Sequence, residues 1–183
     1  MIIDLTDRLL AKQQPKPPEI GRYSISTLWG VLNGYSTPEE YIKGEDVDFK
    51  SALRMRLGSL KHDLIQEFLI PEYEIEKKTE YKYKDFVLVG KCDAINKTQI
   101  LEIKTSDEII PEAKRWHIWQ VKMYLSLFKK EKGVIVQPII TASKLFLKEI
   151  GCVEKNDIWF KKEMLKIDIL HKQLAEIKCQ KKA

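Results

Sequence analysis

Gly90-Lys91-Cys92-Asp93-Ala94-Ile95 and, after five intervening residues, Leu101-Glu102-Ile103-Lys104-Thr105-Ser106 decide how this chain is read. Residues 86–94 and 99–104 are apolar, β-branched runs separated by Asn96-Lys97, which marks two strands and a turn. With a two-residue turn, Ile95 pairs with Thr98, Asp93 faces Ile100 and Lys91 faces Glu102; a four-residue turn preserves the parity. Asp93, Ile100, Glu102 and Lys104 then share one face of the sheet, with Asp93 and Glu102 diagonal neighbours. Two carboxylates and a lysine so placed can hold a hard divalent cation such as Mg²⁺ or Mn²⁺ and position a water. Glu-x-Lys by itself has little weight, because it recurs at Glu76, Glu112 and Glu176. Only the Glu102 copy lies in an apolar strand that follows another strand ending in an acid.

Outward from this hairpin, residues 73–81 alternate with period two and predict a half-exposed strand. Upstream, Phe49, Leu53, Leu57, Leu60, Leu64, Ile65 and Phe68 recur at three- and four-residue steps. They predict one long amphipathic helix from about Asp48 to Leu69, ended by Pro71. Downstream, a second long helix is expected from Pro111 to about Phe128, followed by strands over 133–141 and 144–150. Asn156 caps a last helix, with Ile158, Trp159, Met164, Leu165, Ile169 and Leu174 expected to face the core. Near the start, short helices are expected over 5–12, after Ser24, and after the capping box Thr37-Pro38-Glu39-Glu40. The fold class is therefore α/β, a mixed central sheet flanked by helices. The whole chain, 1–183, reads as a single domain: a small N-terminal helical arm over 1–45, and 46–183 as the core with its C-terminal helix.

Composition agrees with a soluble globular chain of 183 residues with 32% charged positions. No run is long and apolar enough for a membrane helix, and no secretory leader is evident, so no membrane partner and a cytoplasmic location are expected. A net charge of +5 permits a polyanionic partner without demanding one. Cys92, Cys152 and Cys179 are widely spaced, which argues against a disulfide framework or a CxxC metal knuckle.

Further residues extend the constellation. Gly58 and His62 lie four apart on the first long helix, and Gln120 and Tyr124 four apart on the second, so each pair shares a helical face. Taken alone, His62 reads as an exposed or capping histidine, and Tyr124 as a half-buried one. Trp116 and Trp119 could stack bases, but at this spacing they read as core aromatics; His117 reads as packed or exposed, and His171 as surface.

In series, Gly58-xxx-His62, Gly90-xx-Asp93, Glu102-x-Lys104 and Gln120-xxx-Tyr124 resemble the PD-(D/E)XK nuclease superfamily, more narrowly its RecB-type branch with the CRISPR-associated exonucleases. The resemblance spans Gly58 to Tyr124. It implies a restriction-endonuclease-like core and a metal-dependent deoxyribonuclease acting on DNA ends or single strands. A structure-specific endonuclease and a non-catalytic DNA-binding or assembly protein are the rival readings. The resemblance further implies that His62, Asp93, Glu102 and the Ile103 carbonyl hold Mg²⁺ or Mn²⁺, and that Lys104 positions the water. Gln120 and Tyr124 would support the site and contact the DNA backbone. A homo-oligomer is compatible with such a nuclease. The iron–sulphur members of this branch use four cysteines; three scattered ones cannot form that cluster, so none is expected.

Overall fold

A computed structural model of the chain describes residues 6, 9–10, 18–44 and 47–180. Most of the helix expected over 5–12 lies outside the described residues. The remaining elements run β1 (Arg22–Ser24), α1 (Ile25–Leu32), α2 (Pro38–Lys43), α3 (Phe49–Leu69), β2 (Glu74–Ile75), β3 (Lys78–Tyr83) and β4 (Phe86–Lys91). β5 (Ala94–Ile95), β6 (Gln99–Ile103), α4 (Arg115–Phe128), β7 (Lys132–Ile140), β8 (Leu145–Glu154) and α5 (Asp157–Gln180) follow. The mixed α/β class is as expected, and its strands form two sheets, β1-β4-β3 and β2-β5-β6-β7-β8.

The division into two sheets comes from a shared bend. Residues 73–81 and 86–94 were each expected as one strand, yet both break at the same level. Glu76 adopts a left-handed φ of 51°. Across the bend Glu76 N–H donates to the Asp93 carbonyl at 2.9 Å, and Cys92 N–H donates to the Lys77 carbonyl at 3.1 Å. The backbone groups of the bend are thus satisfied although the ladder is interrupted. Below it β2 pairs with β5; above it β3 pairs with β4. The bend also interrupts side-chain alternation. Cys92, next to Asp93, is fully buried in the larger core with Ile95 and Ile100.

The β5–β6 turn has the four-residue form, with Ile95 paired to Ile100 and Ala94 to Leu101. Asn96 Oδ1 accepts the N–H groups of Thr98 and Gln99, both at 2.9 Å, and so closes the turn locally. The expected parity holds, but the register is two residues further on. Asp93, one step past the last paired residue, therefore comes level with Glu102 rather than diagonal to it. β6 and β7 are parallel, joined through α4, and β7 and β8 are antiparallel. Functional groups at the carboxyl end of β6 thus lie where open α/β sheets commonly place their ligands.

The larger core lies between the sheets and α1, α4 and α5; a smaller one, with Ile65, Leu101, Ile103 and Val136, lies on the other sheet face. Three sequence expectations need correction. α4 begins at Arg115, four residues after Pro111, with His117 Nδ1 accepting Lys114 N–H at 3.2 Å in its first turn. On α5 the buried face is Phe160, Met164, Ile167, Leu170 and Leu174, whereas Ile158, Leu165 and Ile169 are exposed. The expected set mixed two sides of that helix.

The third correction concerns α3, which forms as expected with Asp48 Oδ1 accepting Ser51 N–H. Its apolar stripe points the other way. Phe49, Leu53, Leu57, Leu60, Leu64 and Phe68 are all exposed, Phe68 at 67%. At about 100° per residue, Gly58, His62, Ile65 and Gln66 occupy the opposite side, and these face the sheet. Ahead of α3, β1 pairs with β4, and Ile25 and Leu28 of α1 are fully buried.

Candidate active site

Asp93 is held in place from three directions. Its carbonyl accepts Glu76 N–H and also Gln66 Nε2, the latter at 3.1 Å from α3. Its carboxylate Oδ2 accepts Ile103 N–H at 2.7 Å. The acid at the bend is therefore bonded to the backbone between Glu102 and Lys104. Burial raises the Asp93 pKa to about 6, against the Ile103 N–H and the positive Lys104.

Glu102 points from β6 into the same space and is only 2% exposed. Its Oε1 accepts Lys104 Nζ at 2.8 Å, while Oε2 is buried without a hydrogen-bond partner. Burial, then the neighbouring Asp93, raises its pKa to about 7. Lys104 is further fixed by Gln120 Oε1 at 3.0 Å. Its Nζ lies 5.0 Å from the centre of the Trp116 ring. Of the two acids only Glu102 is ion-paired to Lys104, so two carboxylates face each other in a poorly hydrated site.

His62 reaches the site from α3. Because a carbonyl only accepts, its Nε2–H donates to the Ile103 carbonyl at 2.8 Å, leaving Nδ1 toward Asp93 Oδ1 at 3.8 Å. Burial lowers its pKa, opposed by the Ile103 bond, so the neutral ring is favoured. His62 and Ile103, expected as metal ligands, are bonded to each other here. Among the described residues, no three His, Cys, Asp or Glu side chains form a ready-made metal cage.

Gln120 and Tyr124 are also brought to the site. Gln120 is 7% and Tyr124 2% exposed. Gln120 Nε2 donates to Tyr124 Oη at 2.9 Å, so the α4 pair forms a brace behind Lys104, with its polar groups bonded within the protein. Two glycines make this packing feasible. A methyl group on Gly90 would lie 3.3 Å from the Tyr124 ring, and one on Gly58 would lie 3.1 Å from Thr105 Oγ1. These are close-approach positions, which accounts for glycine in both motifs.

His62, Asp93, Glu102, Ile103, Lys104, Gln120 and Tyr124 line a cleft of about 430 Å³. Its wall also contains Ser24, Ser26, Lys91 and Thr105, none of which was singled out for function from sequence, and Trp116, which the sequence reading assigned to the core. Trp119 is core as expected, its Nε1 donating to Glu163 at 2.8 Å. Trp116 differs from it, lining the cleft with 40% of its surface exposed. His117 is packed, 3% exposed, with its pKa lowered to about 4 by burial and by Lys104. His171 is not a plain surface residue, since its Nδ1 is hydrogen-bonded to Tyr23 Oη at 2.7 Å.

No protein-family model matches the chain. No curated protein matches it either. Solved structures match it in shape. The alkaline exonuclease LHK-Exo from Laribacter hongkongensis aligns over 97% of both chains with a TM-score of 0.65 and 13% identity. That enzyme is also known in complex with dAMP. The chain has a nuclease-type fold. A phage-related exonuclease from Haemophilus somnus aligns over 94% of this chain and 99% of its own, at a TM-score of 0.56 and 14% identity. The protein SSO0001 aligns over 94% of this chain and 82% of its own, at 0.59 and 23%. Among the described residues no helix is long and apolar enough to cross a membrane.

Proposed function

We propose that this chain is a divalent-metal-dependent deoxyribonuclease of the PD-(D/E)XK superfamily, of the RecB type, acting from DNA ends or on single strands without an iron–sulphur cluster. The observation that carries this reading is the convergence of Asp93, Glu102 and Lys104 at the carboxyl end of β6 in a fold shared with exonucleases. The donor set fits Mg²⁺ or Mn²⁺. Both prefer oxygen ligands, Glu102 Oε2 is a buried acceptor without a partner, and Asp93 raises the pKa of Glu102 beside it. Asp93 and Glu102 would hold the cation, with His62 and the Ile103 carbonyl adjoining if their mutual bond opens. When bound, the metal would neutralise the acids and lower the pKa of an attacking water.

The chain's own groups supply the rest. Lys104 carries its charge into the cleft, where it stabilises negative charge developing on a phosphate. Gln120, bonded to Lys104 and to Tyr124, fixes the direction of the ammonium group. The Asp93–Ile103 bond holds the two acidic strands in register. Lysines around the cleft make binding salt-dependent.

End-labelled single- and double-stranded DNA incubated with Mg²⁺, Mn²⁺ or EDTA tests the proposal. Metal-dependent shortening from an end is expected, and its loss in Asp93→Ala, Glu102→Ala and Lys104→Ala. No cleavage under either metal overturns the enzyme reading; DNA retention without cleavage would indicate a binding protein. Internal cuts at flaps or junctions would indicate the endonuclease. Unchanged metal affinity in His62→Ala would remove that residue from the ligand set.

A further inference from the structure

We infer that Trp116 is a stacking platform for an unpaired nucleobase adjacent to the phosphate under attack, an inference that rests on the nuclease reading above. Among the residues lining the cleft, Trp116 is the one large apolar side chain with an open surface: Ile103 and Tyr124 are 1% and 2% exposed, Trp116 40%. An indole in this position is not explained by core packing, which Trp119 and Met123 of the same helix already provide.

The ring is also held firmly. Its neighbour His117 meets it edge-on at 3.8 Å between ring centres, and His117 is buried, neutral and bonded to the Lys114 backbone. Lys104 Nζ lies 5.0 Å from the indole centre and 2.8 Å from Glu102 Oε1. One ammonium group thus lies against both the acidic centre and the aromatic platform, so the indole adjoins the acids directly. The surrounding wall is hydroxyl and charge, from Ser24, Ser26, Lys91 and Thr105, and suits a sugar–phosphate backbone. An acidic centre beside an exposed indole fits a nucleotide: phosphate toward the carboxylates and cation, base on the ring.

Stacking requires a free face of the base. Bases within a duplex have both faces covered, so the platform selects a single strand or a frayed end. Contacts of this kind tolerate any base, because each has a π-face, and weaken binding by about fivefold to 150-fold when the aromatic group is removed.

The test is a binding cycle with short single-stranded oligonucleotides in Ca²⁺, each lacking the base at one of the first positions from an end. Trp116→Ala is expected to weaken binding of the intact strand by about fivefold or more. At one position, loss of the base should weaken wild type as much and weaken Trp116→Ala no further. Trp116→Phe should restore most of the affinity and Trp116→Leu should not, which separates stacking from mere packing. Affinity within twofold of wild type for Trp116→Ala, equal losses at every abasic position, or full rescue by leucine overturns the inference while a cleaving wild type leaves the nuclease reading intact. A wild type that neither binds nor cleaves DNA overturns both.

Discussion

Replacing Glu102 by Gln should make the metal-free protein more stable while abolishing its activity. Glu102 is 2% exposed, one of its oxygens has no partner, and Asp93 repels its charge across the strand pair. Its folded pKa stands near 7 against an ordinary 4.5, so the folded state holds more protons than the unfolded one between those values. Stability therefore falls as pH rises through about 4.5 to 7; the penalty is absent below that window and complete above it. Asp93, raised to about 6, acts with the same sign. A rise of this size corresponds to a penalty on the order of 3 kcal/mol at pH 8. Glutamine removes the charge, leaves an acceptor for Lys104, and leaves one acid facing one lysine. In EDTA at pH 8, Glu102→Gln should melt higher by roughly 6–12 °C, taking about 2–4 °C per kcal/mol for a chain of this size. Toward pH 4, below that window, the two proteins should converge. Added Mg²⁺ or Mn²⁺ should raise the wild-type midpoint and scarcely move the variant. Thermal melts across pH with and without metal decide the matter: a variant that melts no higher than wild type at pH 8, or a gain identical at pH 4, refutes the account of excess buried charge.

Lys104→Met removes the cation bonded to Glu102 while keeping most of the side chain's bulk, and should reduce cleavage by at least about 100-fold. It should also lower the EDTA melting point, since breaking a buried ion pair costs about 3–5 kcal/mol; metal should recover part of that loss. Gln120→Ala strips Lys104 of its second acceptor and leaves the buried Tyr124 hydroxyl unpaired, costing about 1–3 kcal/mol. Its kinetic signature should be a fall in kcat of about 10- to 100-fold with KM within about threefold, as for a positioning residue; a change in KM alone would place Gln120 on the substrate instead. Gly133→Ala would set a methyl group 2.3 Å from Val121 Cγ1, where β7 passes under α4. Overpacking of that kind costs about 1–3 kcal/mol, and Val121→Ala in the same chain should restore the melting point.

The chemistry of the β5–β6 hairpin was legible in sequence because strand alternation is local. Once Glu102 is on a strand, Ile100 and Lys104 share its face, and turn parity carries Asp93 to the same side. What alternation does not contain is the bend at Glu76 and Asp93, which sends two expected strands into two sheets. That bend depends on bonds between chain segments far apart in sequence, among them Gln66 Nε2 reaching the Asp93 carbonyl from α3. The helix supplying Gln66 shows the same division between local and non-local information. A period of 3.6 establishes that residues 49–69 are helical, whereas the side that docks depends on what lies across from it. The leucine stripe, the stronger apolar signal, remains exposed. The docked side carries Gly58, His62 and Gln66 at steps of four, small enough at Gly58 to approach Thr105 and polar enough at His62 and Gln66 to satisfy Ile103 and Asp93. A buried polar face of this kind contributes less to stability than leucine would, so its occupation by residues that reach the acidic hairpin is explained by the site they complete. α3 docks by its polar side, and the polar spacing Gly58–His62–Gln66 is the better guide to its inner face.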